Sequence, residues 1–268
     1  MNIKYYFSKK FIKKNFLGII LPHFLTFLFR RKIFNIKYQN ICIKLTSLLF
    51  DGDIMYHHFH AYYRSKANFS TDKWERLNID LSSGATLYID IGGYNGIFGL
   101  LAAKNNPNIK VHIFEPNLLS AYVIHRNIIL NDIKNINLHH AAVGKATGVV
   151  PISINKNGTR VQTKNEINFL KVNCLAIDSL INSFADKDFE NVVVKIDSEG
   201  FEKQCLEGME QFIKKCKRLN ITLTIHSKII SSYGYTEKDF YDTAERLGLK
   251  LIDSERFSEG VELQLQKH

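Results

Sequence analysis

The stretch Thr86–Gly96, TLYIDIGGYNG, runs a short apolar segment into three glycines, and its reading decides the fold. Thr86–Ile91 has the length and character of a buried strand, and the glycines allow a tight turn into Ile97–Lys104, IFGLLAAK, read as a helix. Working outward, Lys110–Phe114 reads as a second strand. Leu118–Leu130 reads as a helix, with Leu118, Leu119, Tyr122, Val123, Ile129 and Leu130 at helical spacing. Asn137–Val143 reads as a third strand. Strand–helix alternation predicts a mainly parallel, doubly wound α/β sheet covered on both faces.

Val149–Ile177 interrupts this pattern with several short strands, and Asn157-Gly158 suits a type I′ hairpin turn. Alternation then resumes with the strand Val192–Asp197, a helix over Phe201–Cys216, and a strand over Arg218–Ile225. A helix starts near Thr236, and Leu249–Ile252 with Val261–Leu265 reads as a closing hairpin. Residues 73–268 therefore form one domain with a strand-rich insertion at 149–177, preceded by a partly helical extension, 1–72.

Glycines at a strand-to-helix turn let a ligand approach the backbone closely. Here they stand at 92, 93 and 96, which does not fit the dinucleotide spacing G-x-G-x-x-G. Asp90 precedes them within the strand, where a carboxylate suits a cationic group better than a pyrophosphate. Glu115 ends the second strand, placed to accept hydrogen bonds from both hydroxyls of a ribose. The pair points to an adenosine-type cofactor bearing a positive, non-phosphate group, a description that S-adenosylmethionine meets.

A second charged strand end is VVVKIDSEGFE, Val192–Glu202. Doubly wound sheets bind ligands at the carboxyl ends of their strands. Asp197 is the candidate for binding or deprotonating an acceptor, directly or through a divalent metal. Glu199 is a second candidate acid, and Lys195 is placed to hold it or an anionic substrate. Glu202 falls in the first turn of a helix, where a carboxylate suits the macrodipole. His226, at the end of the fifth strand, is the remaining candidate base or acceptor ligand. His57, His58 and His60 cannot all face one ion from a helix or strand, so no metal-ligand set is assigned.

The runs YIDIGGYNG, FEPN, HRNIILN, HHAAVG, CLAIDSL and VKIDSEGFEKQCLEGM, in this order over residues 73–226, resemble the FkbM-type methyltransferases. These are S-adenosylmethionine-dependent O-methyltransferases of the Rossmann-like class, often acting on sugars or glycan-linked metabolites. The resemblance implies a seven-stranded sheet of order 3-2-1-4-5-7-6 with an antiparallel last strand. It also implies that Asp90, Gly92 and Gly96 meet the methionine portion of the cofactor, Glu115 the ribose, and His140, Ala141 and Ala142 the adenine, with Gly93 and Pro116 also among the cofactor-binding residues. In the family the glycine loop usually reads D-x-G-A-N-x-G; here Gly93 and Tyr94 take the A-N positions and Asn95 follows one position late. A glutamate common after the family's fifth strand is absent from Thr224-Ile225-His226. Two alternatives stand beside this reading. A nicotinamide-dependent sugar oxidoreductase or epimerase is disfavoured by the glycine spacing and the lack of a Tyr-x-x-x-Lys pair. A non-catalytic binding protein on a degenerate methyltransferase fold is kept open by the altered loop and the missing glutamate.

The net charge of +10 is localised. Residues 1–50 hold ten Lys or Arg and no acid, while the other 218 residues balance 26 basic against 26 acidic side chains. Phe16–Phe29, broken by Pro22 and His23, is too short to cross a bilayer core, which needs about 20 residues. Residues 1–45 suit peripheral contact with an anionic membrane surface, or packing on the domain; no nucleic-acid motif follows them. Cys42, Cys174, Cys205 and Cys216 form no C-x-x-C pair and read as buried free thiols of a cytoplasmic protein.

Overall fold

The computed structural model describes residues 33–46, 73–155, 158–161 and 169–267. Strands β1 (Ile33–Tyr38) and β2 (Ile41–Thr46) pair antiparallel, and helix α1 (Lys73–Ser82) follows. The alternating body runs β3 (Leu87–Ile91), α2 (Ile97–Asn105), β4 (Lys110–Phe114), α3 (Leu118–Leu130) and β5 (Ile136–His139). The insertion contributes β6 (Ala142–Val143), β7 (Gly148–Asn155), β8 (Gly158–Val161) and β9 (Leu170–Leu175). Next come β10 (Val192–Ile196), α4 (Glu202–Glu207), α5 (Glu210–Lys215) and β11 (Leu219–Ile225). The described chain closes with α6 (Ser227–Ile230), α7 (Glu237–Arg246), β12 (Lys250–Phe257) and β13 (Gly260–Lys267).

The main sheet has the order β12-β13-β11-β10-β3-β4-β5, and β13 runs antiparallel to both its neighbours. That is the Rossmann-like methyltransferase order expected from the sequence. From β3 the chain winds outward to β4 and β5, then returns to place β10 on the other side of β3. The carboxyl ends of β3 and β10 therefore lie at a topological switch point, where doubly wound sheets bind ligands.

Alternate residues of these fully buried strands feed two cores. Leu87, Ile89, Ile91, Val192, Val194 and Ile196 pack against α4, α5 and α7 through Cys205, Leu206, Phe212 and Phe240. Tyr88, Val111, Ile113 and Val193 pack against α2, whose Leu100 and Leu101 also meet the β1–β2 hairpin.

Several local expectations are corrected. The helix expected over 201–216 is two helices, broken at Gly208 and Met209. A Cβ on Gly208 would collide with the Gly144 carbonyl, so the break lets this segment pass close to the insertion. The strand expected over 137–143 is split between two sheets, β5 in the main one and β6 in the four-stranded sheet β6-β9-β7-β8. Gly158 already lies in β8, paired with Asn155, while Asn157 lies outside the described residues. In α3 the apolar residues Leu118, Leu119, Tyr122 and Ile129 are exposed, and Ala121, Val123, Ile124 and Asn127 face inward. Cys42 is exposed, unlike the other three thiols. The segment Phe16–Phe29 and the histidines at 57, 58 and 60 lie outside the described residues, and no described helix is long and apolar enough to cross a membrane.

Replacing Gly208 by Ala should lower the unfolding free energy by about 1–3 kcal/mol, the usual effect of forcing an extra methyl into a filled space. Urea unfolding checks this; an unchanged midpoint would mean that the Gly144 loop yields freely.

Candidate active site

Register brings the charged residues together. On β3, Asp90 pairs with Lys195 of β10, and both side chains point to the face covered by α2. Asp90 is fully buried, and neither of its oxygens meets a well-aligned hydrogen-bond donor. The Lys195 Nζ lies 3.9 Å from Asp90 Oδ1, 3.3 Å from Asp197 Oδ2 and 5.0 Å from the Phe98 ring centroid. Burial raises the Asp90 carboxyl above the ordinary carboxylate range, against the pull of Lys195 and the Gly99 amide. Lys195 thus bridges Asp90 and Asp197; the expected partnership with Glu199 is not formed, since Glu199 lies beyond the strand end at φ 55° and meets His226 instead.

The glycine turn is held from within. The amides of Gly92 and Gly93 both donate to the Phe114 carbonyl, at 3.0 and 3.1 Å, and that of Gly96 donates to the Gly93 carbonyl at 2.7 Å. Tyr94, at φ 52°, donates its amide to Glu115 Oε2 at 2.8 Å. These N–H groups are therefore not free to cradle an anion. Gly92 (φ 82°) is packed so tightly on the Asp197 carbonyl that a Cβ would collide with it, which presses the ends of β3 and β10 together. Asn95 turns its side chain inward to accept the Ile97 amide at 3.2 Å.

Glu115 is buried, and its Oε1 accepts the Asn117 amide at 2.8 Å. Burial pushes its carboxyl up to about 7 in spite of these two backbone bonds. Two oxygens with one bond each leave lone pairs for further donors. Beyond it, the exposed His140 ring contacts the Pro116 carbonyl at 3.1 Å, and Ala141 and Ala142 are buried. His139 faces the other way, stacked on Phe114 with ring centroids 4.3 Å apart, so one histidine of the pair stands at the site.

The second half of the site gathers Asp197, Glu199 and His226 from the ends of β10 and β11, with candidate ligand atoms all within 4.8 Å of one another. His226 Nε2 lies 3.8 Å from both Asp197 Oδ1 and Glu199 Oε1. Its Nδ1 contacts Glu202 Oε1 at 3.0 Å, and the same oxygen accepts the Gly200 amide at 2.8 Å. Glu202 is fully buried, so it orients the imidazole rather than merely favouring a helix terminus. The sequence signal for this role was the spacing S-E-G-F-E after a strand, but it did not show that the histidine of the next strand would meet it.

Burial works to lower the His226 pKa, yet the Glu202 contact and the charges of Asp197, Glu202 and Glu199 hold it up to about 9. Burial raises the Glu199 carboxyl to about 7, where His226 and Arg160 oppose it. Burial also works to raise Asp197, but Lys195 and His226 outweigh it and keep that carboxyl below its ordinary value. Near neutrality the group is thus an imidazolium, one firmly ionised carboxylate and one carboxyl poised to take or release a proton. Strand β8 crosses above both halves: Asn117 Nδ2 donates to Thr159 Oγ1 at 2.9 Å, and the Tyr233 hydroxyl donates to the Val161 carbonyl.

The family model for the methyltransferase FkbM domain matches residues 90–243. A search of curated protein sequences finds no match. Among solved structures, the chain is similar to a precorrin-6y C5,15-methyltransferase from Geobacter metallireducens, with 12% identity, a TM-score of 0.45, and 74% of this chain and 90% of that chain covered. It is similar to TYW2 of M. jannaschii in complex with AdoMet, with 16% identity, a TM-score of 0.42, and 88% and 84% covered. A putative methyltransferase from Streptococcus mutans in complex with SAH gives 11% identity, a TM-score of 0.45, and 73% and 97% covered.

The Glu202 contact has a measurable consequence. A histidine raised from about 6.5 to about 9 stabilises the fold fully below about 6.5, and that contribution is lost as pH rises through 9. In Glu202→Gln the His226 ring should titrate well below the wild-type value, read from its C–H proton shifts. Equal titration near 6.5 in both proteins would contradict the assignment.

Proposed function

The chain belongs to the FkbM methyltransferase domain family, and from that premise we propose that it is an S-adenosylmethionine-dependent O-methyltransferase acting on a hydroxyl of a sugar or glycan precursor. The observation that carries the cofactor reading is the buried Asp90 carboxylate, without well-aligned donors, beside a glycine turn whose amides are already engaged. Such a site offers acceptor atoms and a close backbone approach to a cationic ligand, and it offers little to a pyrophosphate. Asp90 with Gly92, Gly93 and Gly96 would hold the methionine end, Glu115 and Pro116 the ribose, and His140, Ala141 and Ala142 the adenine. When bound, S-adenosylmethionine supplies an electrophilic sulfonium methyl.

The chain's own residues then position the acceptor and take its proton. Asp197, kept ionised by Lys195 and His226, accepts a hydrogen bond from an acceptor hydroxyl. Glu199, at about 7, is the poised general base. His226 is an imidazolium near neutrality, so it orients the two acids and donates through Nε2 rather than acting as base. Asp197, Glu199 and His226 would also suit a divalent cation that displaces the Nε2 proton, because Glu202 occupies Nδ1 and leaves Nε2 directed at both acids. Activity that is lost on chelation and restored by magnesium or manganese would favour that version. The acid-free basic leader, 1–45, supports work at an anionic membrane surface, where a surface polysaccharide precursor would be lipid-linked. Liposome flotation unaffected by deleting it would remove that support.

Transfer of labelled methyl to sugar and glycan acceptors tests the reading. Turnover should rise with pH through an apparent pKa near 7. Glu199→Gln should abolish that limb and lower kcat roughly 10²–10⁴-fold. A profile flat from pH 5 to 9, or an unchanged kcat in the variant, would remove Glu199 from the chemistry.

A further inference from the structure

Among the described residues, strands β1 and β2 form a two-stranded hairpin with no third strand beside them. Two-stranded hairpins are marginally stable in water, and the backbone groups on a free edge need partners. Two asparagines one turn apart on and just after α3 supply them. Asn131 acts as a neighbouring strand would: its Oδ1 accepts the Lys44 amide at 2.7 Å and its Nδ2 donates to the Lys44 carbonyl at 2.6 Å. Asn127, fully buried, accepts the Thr46 amide on Oδ1 at 2.7 Å. Its Nδ2 donates in the other direction, to the Asn95 carbonyl at 3.0 Å.

One carboxamide therefore ties the N-terminal hairpin to the glycine turn. Asn95 sits between Tyr94 and Gly96, both at positive φ, in the turn that follows Asp90. Its carbonyl belongs to the Asn95–Gly96 peptide, in the same turn as the Tyr94 amide that donates to Glu115. Helix α2 begins at Ile97, so movement of the Asn95 peptide would also displace the first turn of that helix.

We propose that Asn127 is a positioning residue that makes the β1–β2 hairpin part of the cofactor site: docking of the hairpin edge and ordering of the Gly92–Gly96 turn are one coupled event. This rests on reading that turn as the cradle of the methyl donor. Coupling of this kind is reciprocal, so ligand in the turn must tighten the hairpin as much as the hairpin tightens ligand.

The test uses the full chain and S-adenosylhomocysteine as probe. In the wild-type protein, ligand should slow hydrogen exchange at the Lys44 and Thr46 amides. Thr46→Pro, which removes the N–H into Asn127, and Asn127→Ala should each weaken binding about fivefold or more. A purely structural role would instead lower the melting temperature with affinity unchanged. Exchange at Lys44 and Thr46 that ignores ligand, with both variants binding within twofold of wild type, overturns the coupling alone. Failure of the wild-type protein to bind S-adenosylhomocysteine overturns the methyl-donor reading, and this inference with it.

Discussion

Lys195 carries an ammonium into the interior of a parallel sheet, and the site is organised around the carboxylates that let it stay there. Asp90 lies on one side at 3.9 Å and Asp197 on the other at 3.3 Å, with the Phe98 ring beneath. The two carboxylates and neighbouring Glu262 keep Lys195 charged although burial opposes it. Asp90 and Lys195 are both buried, and removing one member of such a pair typically costs about 3–5 kcal/mol, because the other is left without full compensation. In the proposed reading Asp90 serves the cofactor and Asp197 the acceptor, so a single lysine would set the electrostatics of both.

Topology makes this possible. Only at the switch point do two adjacent parallel strands send their connections to opposite sides, which opens a crevice above their carboxyl ends. Here the crevice is narrow at its floor, since Gly92 rests on the Asp197 carbonyl and the Asp197 amide donates to the Ile91 carbonyl at 3.0 Å. A methyl donor and an acceptor held on either side of this line would be brought close without any large movement of the sheet. Strand β8 spans the opening by fastening to Asn117 on one side and Tyr233 on the other.

Much of this was legible in sequence, for identifiable reasons. The strands of the main sheet are continuous apolar runs ended by charge or glycine, and that signal located β3, β4, β10 and β11, while the order of the sheet came from the resemblance to the FkbM-type methyltransferases. Asp90, Glu115, Asp197, Glu199 and His226 stood out because each is a polar residue in or beside a strand end. What stayed hidden depends on contacts between distant segments. Glu202 looked like a helix-start acid until the fold placed it on His226 Nδ1. The helical spacing of α3 did not show that Asn127 and Asn131, polar by composition, dock the hairpin. The break at Gly208 follows from the approach of Gly144, which no local pattern encodes. The glycine turn was expected to offer its amides to a ligand, whereas the Phe114 carbonyl takes two of them.

The central claim is that the Asp90 side of the crevice holds a sulfonium cofactor. The most direct test is calorimetric titration of the full chain with S-adenosylmethionine and with NAD, for wild type and Asp90→Asn. The account predicts saturable binding of S-adenosylmethionine by the wild-type protein, sharply weakened in the variant, and no binding of NAD. Tight NAD binding, or S-adenosylmethionine affinity indifferent to Asp90, would contradict it.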